Sequence, residues 1–470
     1  MELETIDATV EPSWLDRAAV AALRIVPGHR EVGFSTRTLL AIRGSAWSIA
    51  GYGGSQLLRL ATQLILARML LGPEAFGLVA LVLVFVNGLD LLSDLGVGTD
   101  VIQHRRGDDP IFMNTAFLIQ AGRGLILWGI AAMFASPFAS FYHQPQIRAM
   151  ILVAATSVGM RGFASSSVWT MIRHVQVARL TALNLGSDFV GFVFALVWAV
   201  VSPTAWALVV GRVASSAAYL IASHFMAEHP LSLEWDTKAA REIFVFGTGM
   251  FLASATYFLA GEAERLVIGK FTTVAELGCF SLALGLSWGP SRALQQAISQ
   301  VFFPMISRVA REDPSAATRD YRRIRVMMLV ITSVLGCAFI LLGPLAVHIL
   351  LGPKYADAGW MLQWLGFRAA LELFASTAAA MLFAVGVSRY SAAGNAAKLA
   401  FMSGGLAIAF GRYGVRQAIW VLALSQLANY VPHFWGLRTK FRPAAWTEAL
   451  CFVAFLGVVL GAAFAAWAFV

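Results

Sequence analysis

Thirteen apolar runs follow one another along the chain, near 44–66, 75–98, 112–137, 147–172, 180–202, 204–226, 243–268, 275–306, 325–351, 358–386, 390–411, 415–436 and 446–469. A bilayer core takes about 20 helical residues. Strands of a membrane barrel are about half that length and alternate polar with apolar. The pattern therefore predicts an all-α, polytopic membrane protein. Polar residues interrupt several runs at helical spacing. Gln56, Arg59 and Gln63 stand at i, i+3 and i+7 in the first run, and Asn87, Asp90 and Asp94 repeat that spacing in the second. In the eighth, Arg292, Gln295, Gln296 and Ser299 follow Trp288-Gly289-Pro290, a pair expected to break the helical ladder. Trp364, Arg368 and Glu372 are spaced by four in the tenth.

Composition sharpens this picture. Hydrophobic residues make up 59% of the 470 and charged residues 13%, with a mean hydropathy of +0.71. Too little polar surface exists to cover a soluble core of that size. The 35 Lys and Arg exceed the 26 Asp and Glu by nine. Their placement makes this excess a matter of membrane topology, and a nucleic-acid partner is excluded. With the N-terminus inside, 22 basic residues fall in the tail and inner loops, six in outer loops and seven within runs. The positive-inside rule then places the N-terminus in the cytoplasm.

Residues 1–43 read as a polar tail in which Trp14–Val26 is either a short surface helix or disordered chain. Its acidic start, Met1-Glu2-Leu3-Glu4, has no signal-peptide core. Long inner loops are expected over Ala227–Glu242 and Ser307–Ile324. Cys279, Cys337 and Cys451 are scattered, so neither a disulfide framework nor a metal site is expected.

A loose internal repeat links Ala67–Gly77 with Gly269–Gly278. Each is a short outer hairpin between the first and second runs of a half. The offset covers six runs, so the halves have the same orientation, a pattern found in transporters that hold substrate between two lobes.

Ionisable groups at membrane depth are costly and mark pathways, partners or sites. Arg59, Arg123, Arg161, Arg212, Arg265, Arg292 and Arg368 qualify, as do Asp90, Asp94, Asp188, Glu262, Glu264 and Glu372. Several have structural explanations: Arg368 and Glu372 neutralising each other, Arg265 pairing with Glu262 or Glu264, and Asp90 or Asp94 bonding Arg123 or Arg161. Arg59 and Arg292 have no acid one turn away. They are the foremost candidates for an anionic ligand, with Arg123, Arg161, Arg265, Gln56, Gln63 and Gln296 as further cavity candidates. Asp90, Asp94, Glu264 and Glu372 are coupling or structural acids. No phosphate-binding Gly-Lys-Ser loop, GxSxG or HExxH motif is present, so no enzymatic activity and no cofactor are expected.

Three segments resemble one family. Leu64–Gly98, LILARMLLGPEAFGLVALVLVFVNGLDLLSDLGVG, is similar to the first hairpin and second-helix end of Wzx-like bacterial polysaccharide-export flippases. These belong to the superfamily that also holds multidrug extruders and the lipid II flippase. Glu264–Ala283 and Ser299–Arg311 resemble the start of that family's second lobe and its exit into a large inner loop. The resemblance implies a V of two six-helix lobes, over 44–226 and 243–437. A 227–242 linker would join them, and an extra helix would follow over 446–470. It implies a cargo of undecaprenyl-pyrophosphate-linked oligosaccharide carried to the periplasmic leaflet of the inner membrane. A cationic cavity would hold the pyrophosphate, with membrane lipids, a polymerase and a chain-length regulator as partners. Relatives commonly have twelve or fourteen helices, and the acid at Glu264 is commonly Asp. The competing readings are a drug or cation antiporter, which needs an acidic cavity, and a non-transporting scaffold of a synthase complex.

Overall fold

The computed structural model describes residues 36–468 except 94, 228–231, 313 and 441. The tail helix expected at Trp14–Val26 lies outside those residues, as does Asp94. Sixteen α-helices are present among the described residues: α1 Thr36–Met69, α2 Pro73–Leu92, α3 Val97–Gln103, α4 Pro110–Phe141, α5 Ile147–Gly162, α6 Ser167–Arg173, α7 Val177–Val201, α8 Trp206–Phe225, α9 Thr237–Phe271, α10 Val274–Ala297, α11 Phe303–Glu312, α12 Pro314–Leu350, α13 Ala356–Ala384, α14 Arg389–Arg412, α15 Val415–Lys440 and α16 Arg442–Ala468. Seven of them are long and apolar enough to cross a membrane by length and composition alone. The pair α5 and α6, bent by 63° at a four-residue break, passes together as an eighth. The other long helices, α1, α9, α10, α14 and α15, match expected runs but are diluted by polar residues and glycine. Large apolar side chains such as Val201, Phe225, Val334 and Val453 stand exposed on the helix flanks, as lipid-facing residues do.

The helix starts are written locally. Pro73 and Pro110 occupy first-turn positions where a missing N–H costs nothing. Asp109 and Asp236 cap α4 and α9 by accepting from Ile111 N and Lys238 N. Thr273 and Glu276 form a reciprocal capping box on α10. Gly414 ends the α14 segment with φ +96°, a left-handed value that favours glycine.

Four sequence expectations about the helices need correction. The fourth run is two helices with the bend at 163–166. The helix of the eighth run, α10, passes unbroken through Gly289-Pro290, and the irregularity is a π-helical stretch eight residues on, at Ile298–Phe302. The loop expected at 307–324 is helical, because α11 and α12 occupy it. Helix α9 likewise begins inside the expected linker.

The buried core is distributed unevenly. One end of the molecule carries the turns at 70–72, 142–146, 272–273 and 351–355, here called the hairpin end. There a single cluster runs from Leu66, Phe76 and Tyr142 of the first half through Ile268 and Phe280 to Tyr355 and Ile419 of the second. At the opposite, linker end the core divides into two clusters, one of which seats the start of α9 on the first half. Val97, Phe112 and Ile243 form one cluster; Ile306, Tyr321, Phe374 and Phe455 belong to another. Bonds between halves also gather at the hairpin end: Tyr142 Oη donates to Leu266 O at 3.0 Å, Tyr355 Oη to Leu71 O at 3.1 Å, and Lys270 Nζ to Phe141 O. Helices α2 and α10 cross there at Gly77 and Gly278, the equivalent glycines of the two similar hairpins. A Cβ on Gly77 would run into the Val274 carbonyl, and one on Gly278 into the Pro73 carbonyl.

Helix α16 is an integral part of the second half. Phe455 stacks on Phe374 with ring centroids 5.0 Å apart, and Phe452 on Tyr430 at 4.6 Å. Its Glu448, fully buried, accepts from Tyr321 Oη at 2.7 Å, from Tyr430 Oη and from Arg325.

Candidate functional site

Polar positions on α1, α2, α5, α7 and α8 converge within the first half. Arg59, Thr62 and Gln63 of α1, Asn87 and Asp90 of α2, Arg161 of α5, Asp188 of α7 and Arg212 of α8 line an open cavity of about 480 Å³. A second recess of about 260 Å³ shares Asp90 and Arg161 with it and adds Gln120, Arg123 and Tyr219. Four guanidinium groups thus meet two described carboxylates, leaving the joined lining positive. Gly191 and Gly211 let α7 and α8 approach so closely that a Cβ on either would meet the other's carbonyl, which seats Arg212 in the cavity wall.

The four arginines are held differently. Arg123 is anchored, with Nη2 2.8 Å from Asp90 Oδ1 and Nε 2.9 Å from Ser93 O. Arg212 donates only to neutral partners, Ser157 Oγ at 3.1 Å and Asn87 Oδ1 at 3.0 Å. Arg161 sits 5.1 Å from the centre of the Tyr219 ring, and among the described residues no carboxylate bonds it. Arg59 reaches Asp188 at 3.5 Å but keeps 62% of its side chain exposed. A guanidinium offers up to five donors in a planar fork suited to phosphate oxygens. Arg161 and Arg59 have most of theirs unused.

Across the molecular cleft, α10 passes close to α1. Leu60 Cδ1 and Gln63 Oε1 each lie 3.4 Å from the points where Cβ atoms on Gly289 and Gly285 would stand. Arg292 is exposed just beyond this crossing, stacked 4.2 Å from the centre of the Trp288 ring. Arg265 approaches the same indole at 5.0 Å while bonding Glu262 at 2.6 Å. Arg59 and Arg292 thus flank one crossing, whereas Arg265 is committed to an ion pair. Gln56 and Gln296 are half-buried on α1 and α10, and neither is among the residues lining the two recesses.

Away from the α1–α10 crossing, the second half pairs its buried arginines with carboxylates. The expected neutralisation of Arg368 by Glu372 does not occur. Arg368 points across to α9 and bonds Glu264 at 2.5 Å, while Glu372 accepts from Gln426 at 3.2 Å. Neighbours on an adjacent helix offered the shorter, drier contact than a residue one turn away. Arg325, which the sequence places at the edge of a basic loop, is fully buried. It bonds Glu448, Thr377 Oγ1 and Phe374 O. That network was missed, although one signal pointed to it: Glu448 is the only acid from residue 373 onward.

At the linker end Arg106 bonds Asp109 and Asp236, each at 2.9 Å, tying the start of α4 to the start of α9. Hydrogen bonding from Arg106 holds the Asp236 carboxyl below its usual range.

Known proteins resemble this chain in sequence and in shape. The profile of the polysaccharide biosynthesis protein family matches residues 65–359, more than half of the chain. The succinoglycan biosynthesis transport protein ExoT of Rhizobium meliloti (strain 1021) is 20% identical over 67% of this chain and 63% of its own. The lipopolysaccharide biosynthesis protein WzxC of Escherichia coli (strain K12) is 19% identical over 62% of this chain and 59% of its own. The chain thus spans about three fifths of the length of these relatives. Among solved structures, the lipid II flippase MurJ in an inward closed conformation superposes with a TM-score of 0.64 at 11% identity, over 88% of this chain and 97% of that one. An inward-facing multidrug transporter of the same superfamily gives 0.59 at 14% identity, over 83% and 95%. At these identities the likeness shows a shared fold.

Proposed function

The chain belongs to the polysaccharide biosynthesis protein family, and from that membership and the sign of its cavity we propose that it moves a lipid-pyrophosphate-linked oligosaccharide across the bacterial inner membrane. The observation that carries this reading is the open first-half cavity, where four guanidinium groups face two described carboxylates. A pyrophosphate supplies the missing negative charge. Arg161 and Arg59 meet its oxygens with donors the protein leaves unused, and Arg292 meets them from the opposite wall. The sugar follows into the cleft between halves, with the tail left in lipid. Family relatives named for transport of succinoglycan and for lipopolysaccharide biosynthesis are consistent with such a cargo. A polymerase and a chain-length regulator would act on the delivered repeat unit.

The architecture supports alternating access. Core and bonds join the halves broadly at the hairpin end, and at the linker end the join narrows to the start of α9, held by Ile243 and the Arg106–Asp236 pair. With the linker end cytoplasmic, as the loop charges argue, this is the loading state, closed toward the periplasm. Asp90, Glu264 and Glu372 are engaged as partners of Arg123, Arg368 and Gln426, which gives them structural roles in this state.

The test is transport of a fluorescent polyprenyl-pyrophosphate oligosaccharide in proteoliposomes. Arg161→Ala and Arg292→Ala should each lower the rate by about tenfold or more, from loss of charge-assisted bonds of roughly 1.5–3 kcal/mol. Both variants should insert at normal abundance. Arg292→Lys should recover part of the rate, since the charge remains and the fork is lost. Full transport by both alanine variants would overturn the proposal, and cation-driven efflux of a drug instead would identify an antiporter.

A further inference from the structure

The last part of the chain is one-sided in charge. From residue 373 to the C-terminus the sequence holds seven basic residues and a single acid, Glu448. That acid is fully buried and bonded to Arg325, Tyr321 and Tyr430. No carboxylate of α14, α15 or α16 is therefore left to balance their exposed bases. Three of the seven, Arg438, Lys440 and Arg442, fall at the linker-end turn between α15 and α16. Arg389 opens α14 beside them: its Nη2 donates to Tyr390 Oη at 3.2 Å, and that hydroxyl bonds Thr439 at 3.0 Å.

The helices part at this turn around an open cavity of about 740 Å³, lined by Phe434, Trp435, Arg438, Thr439 and Trp446 among others. Trp435 and Trp446 are exposed at 55% and 76%, and the Arg438 guanidinium lies 5.7 Å from the centre of the Trp435 ring. Indole rings settle at the level of lipid headgroups, and basic recesses between membrane helices attract anionic headgroups. We propose that this cleft binds one anionic glycerophospholipid from the leaflet at the linker end. Arg438 meets its phosphate with Arg389 beside it, and Trp435 and Trp446 flank its upper acyl chain. The phosphate then supplies the counter-charge that the last three helices lack. The site lies on the flank of α15 and α16, outside the lining of the first-half cavity, so it does not depend on the cargo.

Native mass spectrometry of the full chain, titrated with phosphatidylglycerol or phosphatidylcholine, tests this. The wild-type chain should keep one phosphatidylglycerol at concentrations where phosphatidylcholine is lost. Arg438→Ala combined with Arg389→Ala should weaken that binding by about tenfold or more, at roughly 1 kcal/mol for each basic group. Arg322→Ala with Arg323→Ala removes the same charge from another linker-end surface and should change it less than about twofold. Trp446→Ala should weaken retention in high salt, where the aromatic wall matters more than charge. All three substituted surfaces are exposed, so the variants should melt with the wild-type chain. Equal loss in the two double variants, or equal retention of the two lipids, would reduce the cleft to general charge attraction and overturn the proposal. A dimer that forms in place of lipid binding and is lost with Trp446→Ala would give the face to a second copy of the chain, and would overturn it as well.

Discussion

Arg161 and Arg212 of the first half meet a tyrosine ring, a serine and an asparagine, whereas Arg325 and Arg368 of the second half each meet a buried carboxylate. Both pairs sit at membrane depth, where an ionic group must find a partner or a cavity. The second half solves the problem internally for Arg325 and Arg368, whose charges are spent on packing helices together. The first half leaves it partly unsolved beside an opening about 480 Å³ in size. An unbalanced charge next to a cavity is suited to a ligand. A balanced one in a dry core is suited to holding a shape.

The sharpest way to break this contrast lies in the buried network. Arg325→Ala or Glu448→Ala should each destabilise the protein by about 3–5 kcal/mol, because the surviving partner keeps its desolvation cost and loses its counter-ion. Arg325→Met with Glu448→Leu should recover much of that loss, read by thermal unfolding in detergent. Arg161→Ala should move the same melting curve by no more than about 0.5 kcal/mol. Comparable shifts at Arg325 and Arg161 would erase the distinction between the halves. The Glu264 and Arg368 pair offers a milder version. Either single alanine should cost more than the double change, since removing both avoids a stranded charge.

Arg123 falls between the two types. It lines the second recess yet is bonded to Asp90 and Ser93. Arg123→Ala should cost about 1.5–3 kcal/mol of stability and lower transport, so a purely structural or a purely functional defect would reassign it. The smallest effect expected is at Asp236. Its carboxyl is held below the usual range by Arg106, so the stabilisation it provides is present above the unfolded-state value near 4 and fades as pH falls through the lower folded value. Asp236→Asn should flatten that acid limb slightly; an unchanged limb would show that the Arg106 contact contributes nothing.

Much of the scaffold was legible because membrane burial writes itself as long apolar runs. All thirteen reappear as long helices, with the fourth divided by its 63° bend. Of the two polar stripes, Arg59 and Gln63 of α1 and Asn87 and Asp90 of α2 line the first-half cavity, whereas Gln56 does not. What stayed hidden was partner choice. Spacing along one helix suggested Arg368 with Glu372, but a side chain's partner is set by the neighbouring helix, and Glu264 is 104 residues away in sequence. Arg325 was obscured for a related reason. It follows Arg322 and Arg323, so loop charge and core charge looked alike in the sequence. Pro290 misled in the opposite direction, since a helix can pass a proline intact when neighbouring helices hold it.

The ion pair between α12 and α16 also sets an order in time. Arg325 enters the membrane region 123 residues before Glu448 is made. At about 5–20 residues per second, the ribosome needs roughly 6–25 s to deliver the partner. During that interval the second half holds a guanidinium whose carboxylate does not yet exist, and α12 cannot settle into its final place. Helix α16 therefore completes the buried network that holds α12. A chain released before residue 448 would leave Arg325 without the carboxylate that balances it.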